Sequence, residues 1–183
     1  MTFPVFAPGD VLNASDMNAV GLWRVKANTT FTTASSVTCD NVFTTDYPYY
    51  VVNIRYITSS TTDFSFRLRV GGVSAATNYN QQLSSGNGAT AAATRSTSQT
   101  SWTGGGNTNG TFYSHSQFVL FGPQLAEPTT MQHWNNQNAG AYTNPINKFY
   151  TGNHSDSTIY DGFELLIGGS TITGTYAVYG YRA

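Results

Sequence analysis

Charge is what this sequence lacks most. Asp, Glu, Lys and Arg make up 9% of its 183 residues, against roughly 25% in ordinary soluble proteins. Hydrophobic residues nevertheless reach 39% and aromatic residues 14%, which excludes a disordered chain. The surface must then be covered by Ser, Thr, Asn and Gln, whose contacts depend little on salt. The net charge is −1 and the lysines are Lys26 and Lys148 alone. No basic stripe is there to neutralise phosphates, so a nucleic-acid binder is not expected. Cysteine is down to one, Cys39. No intrachain disulfide can form, and the residue reads as a small buried hydrophobe. Long apolar runs are missing as well. Phe118 to Phe121 is among the longest, too short for a membrane helix. Met1 to Pro8 has neither a basic segment nor an apolar core, so no secretory signal is expected.

What is present is one strand pattern after another. In residues 22–183, Leu22 to Lys26 alternates, and Thr29 to Cys39 is β-prone but polar, which suits an edge. Tyr50, Val52, Ile54 and Tyr56 share one face of a strand over Tyr49 to Ile57. Phe64, Phe66, Leu68 and Val70 share a face of the next, with Ser59 to Thr62 between, so Tyr49 to Val70 reads as an antiparallel hairpin. Residues 84–111 are Ser, Thr, Ala, Gly and Asn around a single large apolar residue, Trp102. That composition predicts a long polar loop, with a polar strand over Ala89 to Ser101 as the alternative and a flexible turn at Gly104 to Gly110. Strands resume over Thr111 to Leu120, Thr129 to Asn136 and Ile146 to Thr151. No fixed-period repeat appears. The expected fold is all-β: a two-sheet antiparallel sandwich of about eight strands, jelly-roll-like.

Residues 1–21 read differently, as an N-terminal arm. Pro4 and Pro8-Gly9 keep the start extended and then turn it. Asn13 or Ser15 can cap a helix of about two turns ending at Val20, too short to stand alone in water. It must dock, either on its own domain or on a neighbour through Phe3, Phe6, Leu12, Met17 and Val20.

The stretch Tyr160 to Arg182 organises the rest. Phe163, Leu165 and Ile167 fall on one face, then Gly168-Gly169-Ser170-Thr171 breaks the run. Ile172, Tyr176 and Val178 follow on one face, with Tyr179 and Tyr181 on the other. It reads as a hairpin, the central strand pair of the sandwich. The turn Asp161-Gly162-Phe163 and the sequence Ile172-Thr-Gly-Thr-Tyr-Ala-Val-Tyr-Gly-Tyr-Arg182 resemble the C-terminal end of a family of bacteriophage virion proteins. These are fibre, tail and head-appendage subunits with a β-sandwich domain. Gly9 to Asn18 resembles a leader near the start of many phage tail and fibre subunits. The resemblance implies a structural subunit located on the virion and attached to other virion proteins through its arm. It also implies a homo-oligomer, with a trimer favoured. A low-charge chain without an export signal fits a particle part released by lysis.

Chemistry that would mark an enzyme is thin. Glu127 and Glu164 are the glutamates, and nothing in the sequence brings them together as a glycosidase pair. His115, His133 and His154 lack ligand spacing, and His154 with Asp156 and Asp161 reads as solvated turn before it reads as a cation site. The Gly104 run lacks the Lys-Ser/Thr of a phosphate loop. No catalysis, cofactor or metal is expected. The binding chemistry with a warrant is glycan recognition, in which aromatic faces stack on sugars while amides and hydroxyls meet sugar hydroxyls. Trp102 with Asn107 and Asn109 has that makeup, and so has Trp134. The alternative for each Trp is packing, at the end of the sandwich or in a seam between subunits. Contact with host surface glycans is therefore expected beside the virion role, and a soluble carbohydrate-binding module is the competing reading.

Overall fold

The computed structural model describes residues 21–106, 112–138 and 145–181. Thirteen strands form among them: β1 (Leu22–Ala34), β2 (Ser36–Cys39), β3 (Tyr49–Thr58), β4 (Asp63–Val70), β5 (Val73–Ser74), β6 (Tyr79–Asn87), β7 (Thr90–Gln99), β8 (Trp102–Gly106), β9 (Ser114–Phe121), β10 (Thr129–Asn138), β11 (Pro145–His154), β12 (Gly162–Leu166) and β13 (Ile172–Tyr181). Eight make a large sheet in the order β1-β13-β3-β9-β10-β11-β6-β7. Five make a small one, β2-β12-β4-β5 with β8 also paired to β4. Every pairing is antiparallel. No helix occurs among the described residues. The capped helix expected in the arm, and the anchors Phe3, Phe6, Leu12, Met17 and Val20, lie outside them.

The period of two sorts the side chains into a sandwich. On β3, Tyr50, Val52, Ile54 and Tyr56 are fully buried while the residues between them face outward. Phe64, Phe66 and Leu68 of β4 and Phe163 and Leu165 of β12 come up from the small sheet, all at 0% exposure. Phe66 is the hinge pin of the core. It stacks on Phe118 of the large sheet at 4.3 Å and on Phe163 at 5.1 Å, and Phe163 meets Tyr176 edge-on at 5.5 Å. Burying each such ring contributes about 1.5–3 kcal/mol. Cys39 is buried and free, as the sequence suggests.

Two expected hairpins are crossings between sheets. β3 lies in the large sheet and β4 in the small one, so Tyr49 to Val70 spans the core; Tyr56 and Phe64 meet across it with ring centroids 4.9 Å apart. The terminal stretch behaves the same way. β12 is central in the small sheet and β13 lies between β1 and β3 in the large one. The two crossing turns brace each other, with Ser59 N donating to Thr171 O at 2.9 Å and Ser60 Oγ to Ser170 Oγ at 2.9 Å. Alternation reports which face is buried. It does not report whether the next strand lies beside or opposite.

The expected polar loop at 84–111 is also corrected, since β6, β7 and β8 occupy it through Gly106. A sheet ladder needs backbone donors and no proline, and residues 84–106 supply both with Trp102 as their one large apolar side chain. Gly104 to Gly106, expected as a flexible turn, is a buried strand end. A Cβ on Gly104 would strike the Phe64 ring, one on Gly105 the Asn135 amide, and one on Gly106 the backbone of Asp63. These side-chain-poor strands, with the short strands β2 and β5, account for thirteen where about eight were expected.

Candidate functional site

The outward faces of β10, β11 and β6 form a shelf, and its register is fixed by pairing. Trp134 of β10 lies opposite Phe149 of β11, which lies opposite Ser84 of β6. One step along, Asn136 pairs with Asn147 and Asn147 with Gly86, while His115 of β9 pairs with Asn136. Trp134 is 55% exposed, and its ring leans on Phe149 at 4.6 Å. Around this pair is a cavity of about 570 Å³ lined by Ser84, Gly86, His115, Asn136, Asn147 and Phe149 among others. His115 is exposed on β9, but desolvation by the atoms packed around its ring still lowers its pKa, which favours the neutral form. The chemistry is an aromatic platform rimmed by amides, a hydroxyl and a neutral imidazole. Toward the other end of the same strands a second groove of about 440 Å³ is lined by Asn80, Gln82, Arg95, Thr130, Thr151 and Asn153.

The inward face of β10 holds the shelf still. Asn135 Nδ2 donates to Tyr56 Oη and to Ser116 Oγ, both at 2.8 Å, and Ser116 Oγ donates to Gly104 O at 2.7 Å. His133 is stacked between Phe118, at 3.9 Å and 3° from parallel, and Tyr150, at 5.0 Å. Its complete burial, helped by the charge of Lys148, pushes its pKa down to about 3. It is therefore a neutral, flat spacer near pH 7. Met131, His133, Asn135 and Gln137 are buried on alternate positions of β10, which sets its other face outward and presents Trp134 to solvent, although both His133 ring nitrogens and Asn135 Oδ1 lack a hydrogen-bond partner among the described residues.

Trp102 is the opposite case, and the sugar contact expected of it is corrected. It is fully buried on β8. Tyr79 meets its ring edge-on at 5.0 Å, Phe66 leans on it at 6.3 Å, and Nε1 donates to Asn80 O at 3.2 Å. No ring face is left for a ligand. Asn107 and Asn109 lie outside the described residues. Of the four residues expected to contact glycan, Trp134 alone is placed on an open surface. Phe149, Asn147, Gln82 and Arg95 were not singled out in the sequence, and His115 was weighed there only as a metal ligand. A signal for Phe149 was present, because alternation on β11 puts it on the face opposite Tyr150.

Other groups stay apart. His154 Nε2 is 3.8 Å from Asp156, but Asp161 is used elsewhere, accepting from Gly71 N at 2.9 Å. No group of three His, Cys, Asp or Glu among the described residues could hold a metal ion. Glu164 accepts from Ser74 Oγ at 2.7 Å on the small sheet, whereas Glu127 lies in the connection between β9 and β10.

No protein-family model matches the chain, and no curated protein or solved structure does either.

Proposed function

We propose that this protein is a β-sandwich subunit of a phage virion, in a fibre, tail appendage or head decoration, that contacts surface glycans through the Trp134 shelf. The observation that carries the glycan part is the half-exposed Trp134–Phe149 pair within a cavity rimmed by amides. Aromatic faces of this kind recognise the apolar faces of sugars while neighbouring amides meet the hydroxyls. The virion part is supported by the two terminal resemblances and by a surface built on Ser, Thr, Asn and Gln. The competing reading, a free-standing carbohydrate-binding module, draws on the same shelf but leaves the arm at residues 1–21 without a task.

We read the finer topology as a jelly roll. Four pairs nest along the chain: β2 with β12, β3 with β9, β4 with β8, and β6 with β7. They alternate between small and large sheet, as a long antiparallel ribbon does when rolled up. The hairpin β10–β11 is inserted between β9 and β6, so the shelf rests on an addition to the roll. Leu22, Tyr181 and Tyr49 lie in register across β1, β13 and β3 and are exposed on one face, while Trp23 is exposed on the opposite face of β1. Such a patch supports a homo-oligomer seam, a trimer for preference. Light scattering of the full chain at micromolar concentration is expected to give three chain masses, and a monomer would count against the seam.

Two measurements test the role. Phage particles banded on a density gradient should contain the chain, and deletion of residues 1–21 should remove it from them. Trp134→Ala should leave incorporation intact while abolishing binding on a glycan array. Incorporation without any Trp134-dependent binding would reduce the role to structure alone.

A further inference from the structure

The near-neutral chain hides a separation of charge between its two sheets. The eight strands of the large sheet contain no Asp or Glu, while they carry Arg24, Lys26, Arg55, Arg95 and Lys148. The described acids sit in the small sheet, as Asp63 and Glu164 do, or in connections beyond the strand ends. Several are already engaged: Asp40 takes Arg69 at 2.7 Å, and Asp156 accepts from Asn78 at 2.7 Å. The cations divide by face. Lys148 points inward and meets Asp63 at 3.5 Å. Arg55 points outward and lies over the Tyr113 ring at 3.4 Å. Arg95 is exposed on β7, opposite Gln82, and forms no ion pair among the described residues.

Register places Arg95 on the same outward face as Trp134. Arg95 pairs with Gln82, Gln82 with Thr151 and Thr151 with Gln132, two residues before Trp134 on β10. Two residues along a strand and three strands across separate them by roughly 15 Å. Arg95 lines the second groove together with Asn80, Gln82, Thr130, Thr151 and Asn153. The platform and the Arg95 groove thus lie side by side on one acid-free surface.

We propose that the two grooves form one extended site for an acidic polysaccharide, with a sugar stacked on Trp134 and a carboxylate of a neighbouring unit bound by Arg95. The inference rests on the reading of the Trp134 shelf as a glycan site and adds the class of glycan. A guanidinium matches a carboxylate in a bidentate fork, and the amides around it suit the hydroxyls of the same unit. With no acid on these strands, an anionic chain meets no repulsion along its path. A nucleic acid is the less suitable anion. Its phosphates are closely spaced and need many cations, whereas this face offers a few cations set far apart among amides.

The test uses the full-length protein on an array holding both neutral and uronate- or sialate-bearing glycans. Binding is expected on acidic members and should weaken with added salt. Reduction of the carboxylates of a bound glycan to alcohols should weaken it about tenfold, the scale of one charge-assisted contact at the surface. Arg95→Gln should lose the same factor on the acidic glycan and nothing on its reduced form, while Trp134→Ala should lose both. Trp134-dependent binding confined to neutral members, or unchanged by Arg95→Gln, would overturn the acidic class and leave the shelf standing. No Trp134-dependent binding to any member would overturn shelf and inference together. Tighter binding to a single-stranded oligodeoxynucleotide than to any acidic glycan would also overturn the inference.

Discussion

Strands β7 and β8 are neighbours in sequence and alike in having almost no large apolar residue, yet one is bare and the other is interior. β7, Thr-Ala-Ala-Ala-Thr-Arg-Ser-Thr-Ser-Gln, is exposed at every position but one. β8, Trp-Thr-Gly-Gly-Gly, is buried at every position but one. Both are poor in the large apolar side chains that normally drive a strand inward. What separates them is one indole and three missing Cβ atoms. Trp102 supplies the apolar area, and Gly104 to Gly106 let the backbone close on Phe64, Asn135 and Asp63 where any side chain would collide. A strand can therefore be buried through what it omits.

The comparison breaks most sharply at Trp102. Trp102→Ala removes the side chain on which Tyr79 and Phe66 close, and leaves the Asn80 carbonyl without its donor. A loss of about 3–5 kcal/mol is expected. Thr94→Ala on β7 should stay within about 0.5 kcal/mol, because its side chain is exposed on an edge strand. Urea midpoints of the two variants measure the difference directly. A comparable loss at both positions would mean that β7 is covered in the native protein.

Which parts of this architecture were legible follows from the same contrast. The alternating core of β3, β4 and β9 could be read directly, because most of its buried positions carry a Phe, Tyr, Leu, Ile or Val; Thr58, Arg69, Ser114 and Ser116 are the exceptions. β10 and β11 were visible as weaker strands. β7 was visible only as the alternative to a loop over Ala89 to Ser101, and β6 and β8 were not visible, since a polar strand looks like loop when the ladder is held by backbone alone. Whether a strand pairs with its successor or crosses to the other sheet was hidden as well, and β3–β4 and β12–β13 both cross. For the site, Trp134 was visible because a Trp among amides stands out. Its partner Phe149 depends on which strands lie together, and that register is a property of the whole sheet. Trp102 misled for the converse reason: its polar neighbours in sequence say nothing of Tyr79, Phe66 and Phe64, which meet β8 only after folding. The net charge of −1 concealed the acid-free sheet because a sum carries no positions.

The buried side of the shelf offers a finer probe of the same division between interior and surface. The folded protein holds His133 at a pKa of about 3, with burial as the leading cause, and unfolding returns it to about 6.5. Between those values the unfolded chain binds the extra proton, so stability is full above pH 6.5 and falls as pH drops toward 3. His133→Phe keeps a flat ring between Phe118 and Tyr150 but cannot be protonated. The fall in urea midpoint from pH 7 to pH 4.5 should therefore be shallower in the variant. It should not vanish, because desolvation also lowers the pKa of His115 and His154, and both contribute with the same sign. An unchanged slope would mean that His133 keeps its proton in the folded core. The polar ladder under Trp134 would then hold a charge, and the rigidity ascribed to a neutral stack of rings would need another source.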